Sequence, residues 1–108
     1  MNYIIKNEKL TATFRTLGAE LRSLKGASGI EYLWQGDPAF WGRRSPVLFP
    51  IVGSVWEKRY RVDGVEYELG QHGFARDMDF ELVAQTENEL RYRLVSTEDT
   101  LKKYPYQF

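Results

Sequence analysis

Three side chains in this sequence have types and settings suited to work on a polar ligand. They are His72 and Arg76, both in "GQHGFARD", and Arg43 in "FWGRRSPVLFP". An imidazole can donate or accept a proton at a ligand oxygen. His72 is the single histidine, and Gly70 and Gly73 on either side would permit a tight backbone path that brings the ring to a cleft wall. The plainer reading of a His-Gly pair is a turn histidine with a satisfied hydrogen bond. Arg43 and Arg44 stand beside Phe40 and Trp41, a setting in which a guanidinium fork can hold hydroxyls while a ring packs on the ligand. The same arginines also read as surface charges beside a Pro-bounded strand. Trp34, Trp41 and Trp56 divide in the same way between core and ligand platform.

Other chemistries lack their residues. A lone histidine has no ligand cluster at metal-binding spacing, and with no cysteine there is neither a disulfide framework nor a thiolate zinc site. No Gly-rich phosphate loop or nucleophile elbow occurs. The acids form no evident catalytic pair. Asp77 reads as a salt-bridge partner of Arg76 or as the start of the next strand.

The 108 residues suit one domain, and 43% hydrophobic with 28% charged residues is ordinary globular usage, so disorder is not expected. Fifteen basic residues balance fifteen acidic ones, leaving no global field to attract nucleic acid. No basic segment followed by a long apolar run opens the chain, and "PVLFPIVG" is too short to span a bilayer. These features favour a cytoplasmic protein with no membrane partner.

Periodicity favours strands. "NYIIKN" and "KLTATFR" alternate around a turn at Asn7-Glu8. "RYRVDGVEYEL" predicts a hairpin closed by Asp63-Gly64, with Tyr60, Val62, Val65 and Tyr67 as its apolar side chains. "DFELVAQTE" and "NELRYRLVST" predict a second hairpin around Glu87-Asn88, with Leu90, Tyr92 and Leu94 facing a core. "STEDTLKKY" alone looks helical, capped by Ser96 or Thr97 and stopped by Pro105. The Pro- and Gly-broken but aromatic segment "GDPAFWGRRSPVLFPIVGSVW" reads as a loop that lines or covers something. "KKYPYQF" stops on aromatic residues with no polar tail, and so reads as an interruption.

In their order, "WGRRSPVLFPIVG", "YRVDGVEYEL" and "QHGFARDMDFEL" resemble the aldose 1-epimerase (galactose mutarotase-like) superfamily, in particular its LacX-like branch. "GAELRSLK" and "EYLWQGDPAFW" are similar to that family's opening strands. The resemblance implies a mainly β fold, an antiparallel β-sandwich forming part of a supersandwich that binds a sugar in a cleft. It implies interconversion of the α and β anomers of a hexose, or of a hexose phosphate in a related branch, without cofactor or metal. By position, His72 matches an active-site histidine that contacts the sugar and assists acid–base chemistry, and Arg43 matches a sugar-contacting arginine. Arg76 matches a residue that orients the loop or faces a ligand anion, while Arg44 receives no role. Family members are more than twice as long, and their second histidine, sugar-binding aspartate and base glutamate lie beyond this stretch. Residues 1–108 are therefore expected to form an N-terminal portion of such a domain. The alternative is a carbohydrate-binding β domain without catalysis. Uncovered sheet edges predict self-association.

Overall fold

Alternating apolar side chains over residues 2–15 build the first sheet of the computed structural model, which describes residues 1–108. Strands β1 (Asn2–Lys6) and β2 (Leu10–Arg15) pair antiparallel, with Tyr3 opposite Phe14 and Ile5 opposite Ala12. Asn7 closes their turn because its Oδ1 accepts from the amides of Lys9 and Leu10, both at 2.8 Å. Strand β3 (Leu21–Gly26) adds to the free edge of β2, in the order β1-β2-β3.

Strands β4 (Arg59–Val62) and β5 (Val65–Glu68) form the expected hairpin. Asp63 and Gly64 take φ of 49° and 78°, the positive pair that a two-residue turn matching the strand twist requires. Strands β6 (Glu81–Gln85) and β7 (Leu90–Arg93) form the other hairpin, with a register shift between Leu82 and Ala84. Leu90 and Tyr92 are half-buried while Arg91 and Arg93 face water, as their alternation predicts.

Helix α1 (Glu98–Leu101) is a single turn. Thr97 caps it: its side chain accepts from the Thr100 amide at 3.2 Å, and the Thr100 hydroxyl accepts from the Thr97 amide at 2.8 Å. "EYLWQGDPAFW" forms no regular strand. Glu31 makes one isolated bridge to Lys25, and Asp37 then turns the chain by accepting the Ala39 amide at its side chain and the Phe40 and Trp41 amides at its carbonyl. Side-chain turn chemistry overrides the apolar pattern there.

The three antiparallel sheets agree with the mainly β expectation, yet they enclose little. Only six of 108 residues are buried, among them Leu69, Phe74 and Ala75. The radius of gyration is 16.6 Å, against about 13 Å for a closed domain of this size. Phe40, Val52 and Trp56 are more than three-quarters exposed. Of the two readings of the tryptophans, core holds for none of the three. Phe108 is half-buried. It folds back against Phe49, Phe74 and Tyr104, with its ring 4.9 Å from that of Phe49, and its carbonyl accepts from the Ser96 amide. No helix is long and apolar enough to cross a membrane.

Candidate functional site

Two irregular segments that carry the candidate site residues dovetail: residues 42–53, with Arg43, and residues 70–77, with His72 and Arg76. The Phe49 carbonyl accepts from the amides of Phe74 and Ala75, each at 3.1 Å. Gly73 lies directly against this contact at φ 71°, and a Cβ on it would run into the Phe49 carbonyl and the Pro50 ring. Glycine is needed there for both reasons. Gly70 has open space and no positive φ, so the expected freedom is used at one of the two glycines.

His72 itself takes the left-handed conformation, at φ 61°. The segment holds it there because its amide donates to the Gly53 carbonyl at 2.7 Å while its ring Nδ1 accepts from the Gly53 amide at 2.8 Å. An Nδ1 that accepts carries no proton, so the neutral ring bears its hydrogen on Nε2. The ring is half-buried. The turn reading of His72 is thus met through Nδ1, and its Nε2 makes no hydrogen bond within the chain.

Arg43 reaches across from the first segment, and its Nη2 donates to Asp77 Oδ1 at 2.9 Å. Asp77 therefore joins two of the expected site segments, a role broader than pairing with its neighbour. Its contact with Arg76 is longer, 3.9 Å from Oδ2 to Nε. It does not start a strand; it ends a short 3-10 turn at Ala75–Asp77. The Arg76 side chain is only 18% exposed, and its buried Nε has no hydrogen-bond partner. The Arg76 carbonyl presses on Gly18, where a Cβ would lie 2.7 Å away. No hydrogen bond joins His72 to either arginine.

Arg44 is not a free surface charge. Its Nη1 donates to the Arg22 carbonyl at 2.6 Å, fastening the first segment to β3. Beneath it lies Glu20, a residue to which the motifs assign no role. Glu20 is 2% exposed. Its Oε1 accepts from the amides of Ser45 at 3.2 Å and Arg44 at 3.3 Å, while Oε2 pairs with Arg22 at 3.0 Å and with Arg15. Burial pushes its carboxyl pKa up, but the Ser45 amide, Arg22, the charge of Arg15 and the Arg44 amide together hold it below the usual carboxylate value. The only trace of this in the sequence is one acid between Arg15 and Arg22, and nothing there ties it to residues 44 and 45.

Trp34, Phe40 and Trp41 are exposed aromatic side chains, the last two shortly before Arg43 in the chain. Trp34 Nε1 donates to the Trp41 carbonyl at 2.9 Å, and its ring meets Phe40 edge-on at 6.3 Å. A depression of about 700 Å³ is bordered by Lys58, Gly70, Gly73, Asp77, Asp99 and Lys103. It borders the His72 loop without including His72 or Arg43. No three His, Asp or Glu side chains gather into a metal-binding group.

A family model described as aldose 1-epimerase matches residues 1–108. The chain belongs to the aldose 1-epimerase family. It is 40% identical over 114 aligned residues to the chromosomal protein LacX of Lactococcus lactis subsp. lactis, a match covering all of this chain and 38% of that one. Among solved structures it is similar to a galactose mutarotase related enzyme from Lactobacillus acidophilus, with 42% identity and a TM-score of 0.97 over 99% of this chain and 36% of the other. A galactose mutarotase-like protein from Lactobacillus casei follows at 38% identity and a TM-score of 0.95, covering 99% of this chain and 37% of that one. This aldose 1-epimerase family chain thus spans a little over a third of the length of the relatives it matches. The antiparallel sheets and the loops between them follow the galactose mutarotase-like fold.

Proposed function

We propose that this chain is the N-terminal portion of a hexose-handling domain of the aldose 1-epimerase family, with His72 and Arg43 as sugar contacts. The observation that carries the reading is the divided use of the His72 ring: Nδ1 is spent on Gly53, leaving Nε2 for a ligand. In anomer interconversion an acid protonates the ring oxygen while a base takes the proton of the C1 hydroxyl. The ring opens, the C1–C2 bond rotates, and closure gives either anomer. In this reading the Nε2 side of His72 faces a sugar oxygen, Arg43 donates to hydroxyls, and Trp41 or Phe40 packs on the apolar face of the ring.

Arg76 keeps the loop in place. Its largely buried side chain faces Asp77, which favours a neutral hexose over a hexose phosphate. Carbohydrate binding without catalysis is the second reading, and one observation favours it for these 108 residues alone. The only hydrogen bonds of His72 are those to Gly53, so no carboxylate touches the ring. The setting proposed is cytoplasmic, with the exposed apolar surface driving self-association.

Polarimetry of freshly dissolved α-glucose and α-galactose, read beside tryptophan fluorescence, tests both forms. The expected result is a sugar-dependent fluorescence change that His72→Ala removes, with no acceleration of mutarotation by the chain alone. Acceleration that is lost in His72→Ala would establish catalysis by these residues. A folded chain whose fluorescence ignores both sugars would overturn the sugar reading.

A further inference from the structure

We propose that Glu20 is the positioning residue of this site, its buried carboxylate holding the backbone from which Arg43 reaches out. The proposal rests on the reading of Arg43 as a ligand contact. Glu20 lies in the bend just before β3, away from both motif segments in sequence, and is among the six buried residues. The charged groups paired with it are both arginines, Arg15 from β2 and Arg22 from β3, while the site segment offers it the backbone amides of Arg44 and Ser45.

The two carboxylate oxygens divide their work. Oε2 takes the guanidinium groups of Arg15 and Arg22, which belong to the sheet. Oε1 takes the amides of Arg44 and Ser45, which belong to the loop. Two further bonds run from the same loop residues to β3: Ser45 Oγ to the Leu21 carbonyl at 2.7 Å, and Arg44 Nη1 to the Arg22 carbonyl. The two residues after Arg43 are therefore fastened by main chain and side chain alike. Arg43 alone of the three is left with its side chain directed across the gap, where Asp77 receives it.

A buried ion pair is seldom the most stabilising filling for such a site, since apolar residues of similar volume often serve as well. What an apolar side chain cannot supply is an acceptor for two consecutive loop amides. That is the feature which sets the start of the Arg43 side chain.

The experiment compares the full chain with Glu20→Met, Glu20→Gln and Glu20→Asp. Methionine keeps volume without an acceptor, glutamine keeps one acceptor without charge, and aspartate keeps charge but falls short by one methylene. Amide NMR signals of Arg44 and Ser45 and the Arg43 Nε–H signal report the loop directly, and glucose titrations read by tryptophan fluorescence report the site. Glu20→Met and Glu20→Asp are expected to shift both amides, speed exchange of the Arg43 Nε–H, and weaken glucose binding about tenfold or more, the scale on which misplaced site residues act. Glu20→Gln should restore part of both signals. Unmoved Arg44 and Ser45 amides in a folded Glu20→Met or Glu20→Asp protein would overturn the proposal, as would unchanged glucose affinity. If the unaltered chain shows no glucose response, the sugar reading fails by itself, and the amide and Nε–H signals still decide whether Glu20 positions the loop.

Discussion

Gly53 and His72 are hydrogen-bonded to each other in both directions, amide to carbonyl at 2.7 Å and amide to ring Nδ1 at 2.8 Å. This reciprocal pair joins the end of the proline-rich segment to the histidine loop and sets the ring's tautomer. Nitrogen-detected NMR is expected to place the proton of the neutral ring on Nε2. A neutral ring protonated on Nδ1 would contradict the pairing. His72→Phe, which leaves the Gly53 amide without its acceptor, should cost about 1 kcal/mol in urea unfolding.

Gly73→Ala forces a Cβ into the Phe49 carbonyl at a positive φ. The left-handed conformation alone costs about 1–2 kcal/mol for an L-residue, and the steric conflict adds to it. Thermal unfolding should fall clearly for Gly73→Ala and hardly move for Gly70→Ala, where the added methyl meets open space. Equal effects at the two positions would mean that the loops do not dovetail at Gly73.

Arg43 and Asp77 are both substantially exposed, so their ion pair contributes little to stability, within about 1 kcal/mol. Arg43→Lys and Asp77→Asn are expected to leave the unfolding midpoint near that of the unaltered chain while weakening the sugar-dependent fluorescence change. A large loss of stability with unchanged sugar response would reverse the roles given to this pair.

Glu20 supplies a pH dependence of definite sign. Its carboxyl pKa in the folded chain is lowered, so its contribution to stability is fully present above the ordinary glutamate value of about 4.3 and is lost as pH falls through the lower folded value. Urea midpoints should decline below about pH 4.3, with a smaller decline in Glu20→Gln. The same acid sensitivity in both proteins would remove Glu20 as its source.

The exposed Phe40, Val52 and Trp56 predict association of the chain with itself. Light scattering at increasing concentration should show mass above that of a monomer. A single monomeric species at high concentration would count against this.

The local elements were legible in the sequence because their causes are local. Period-two alternation specifies a strand wherever one face is shielded, and Asp63-Gly64 satisfies the positive φ angles of its turn without help from elsewhere. Thr97 caps its helix through groups within three residues of it. The candidate residues His72, Arg43 and Arg76 were likewise visible as types in motifs. The partners that fix their placement were not. Gly53 lies nineteen residues from His72, Asp77 thirty-four from Arg43, and Glu20 twenty-five from Ser45. Hydrogen bonds at such separations depend on how whole segments lie against one another, and no spacing rule encodes that. The same limit explains Arg44, a surface charge by its neighbours and a fastener by its contact with β3. It also explains the tryptophans, which an apolar side chain alone would send to a core. Sequence by itself determined the strands, turns and candidate chemistry, and tertiary structure decided which groups face each other, because that depends on distances across the fold.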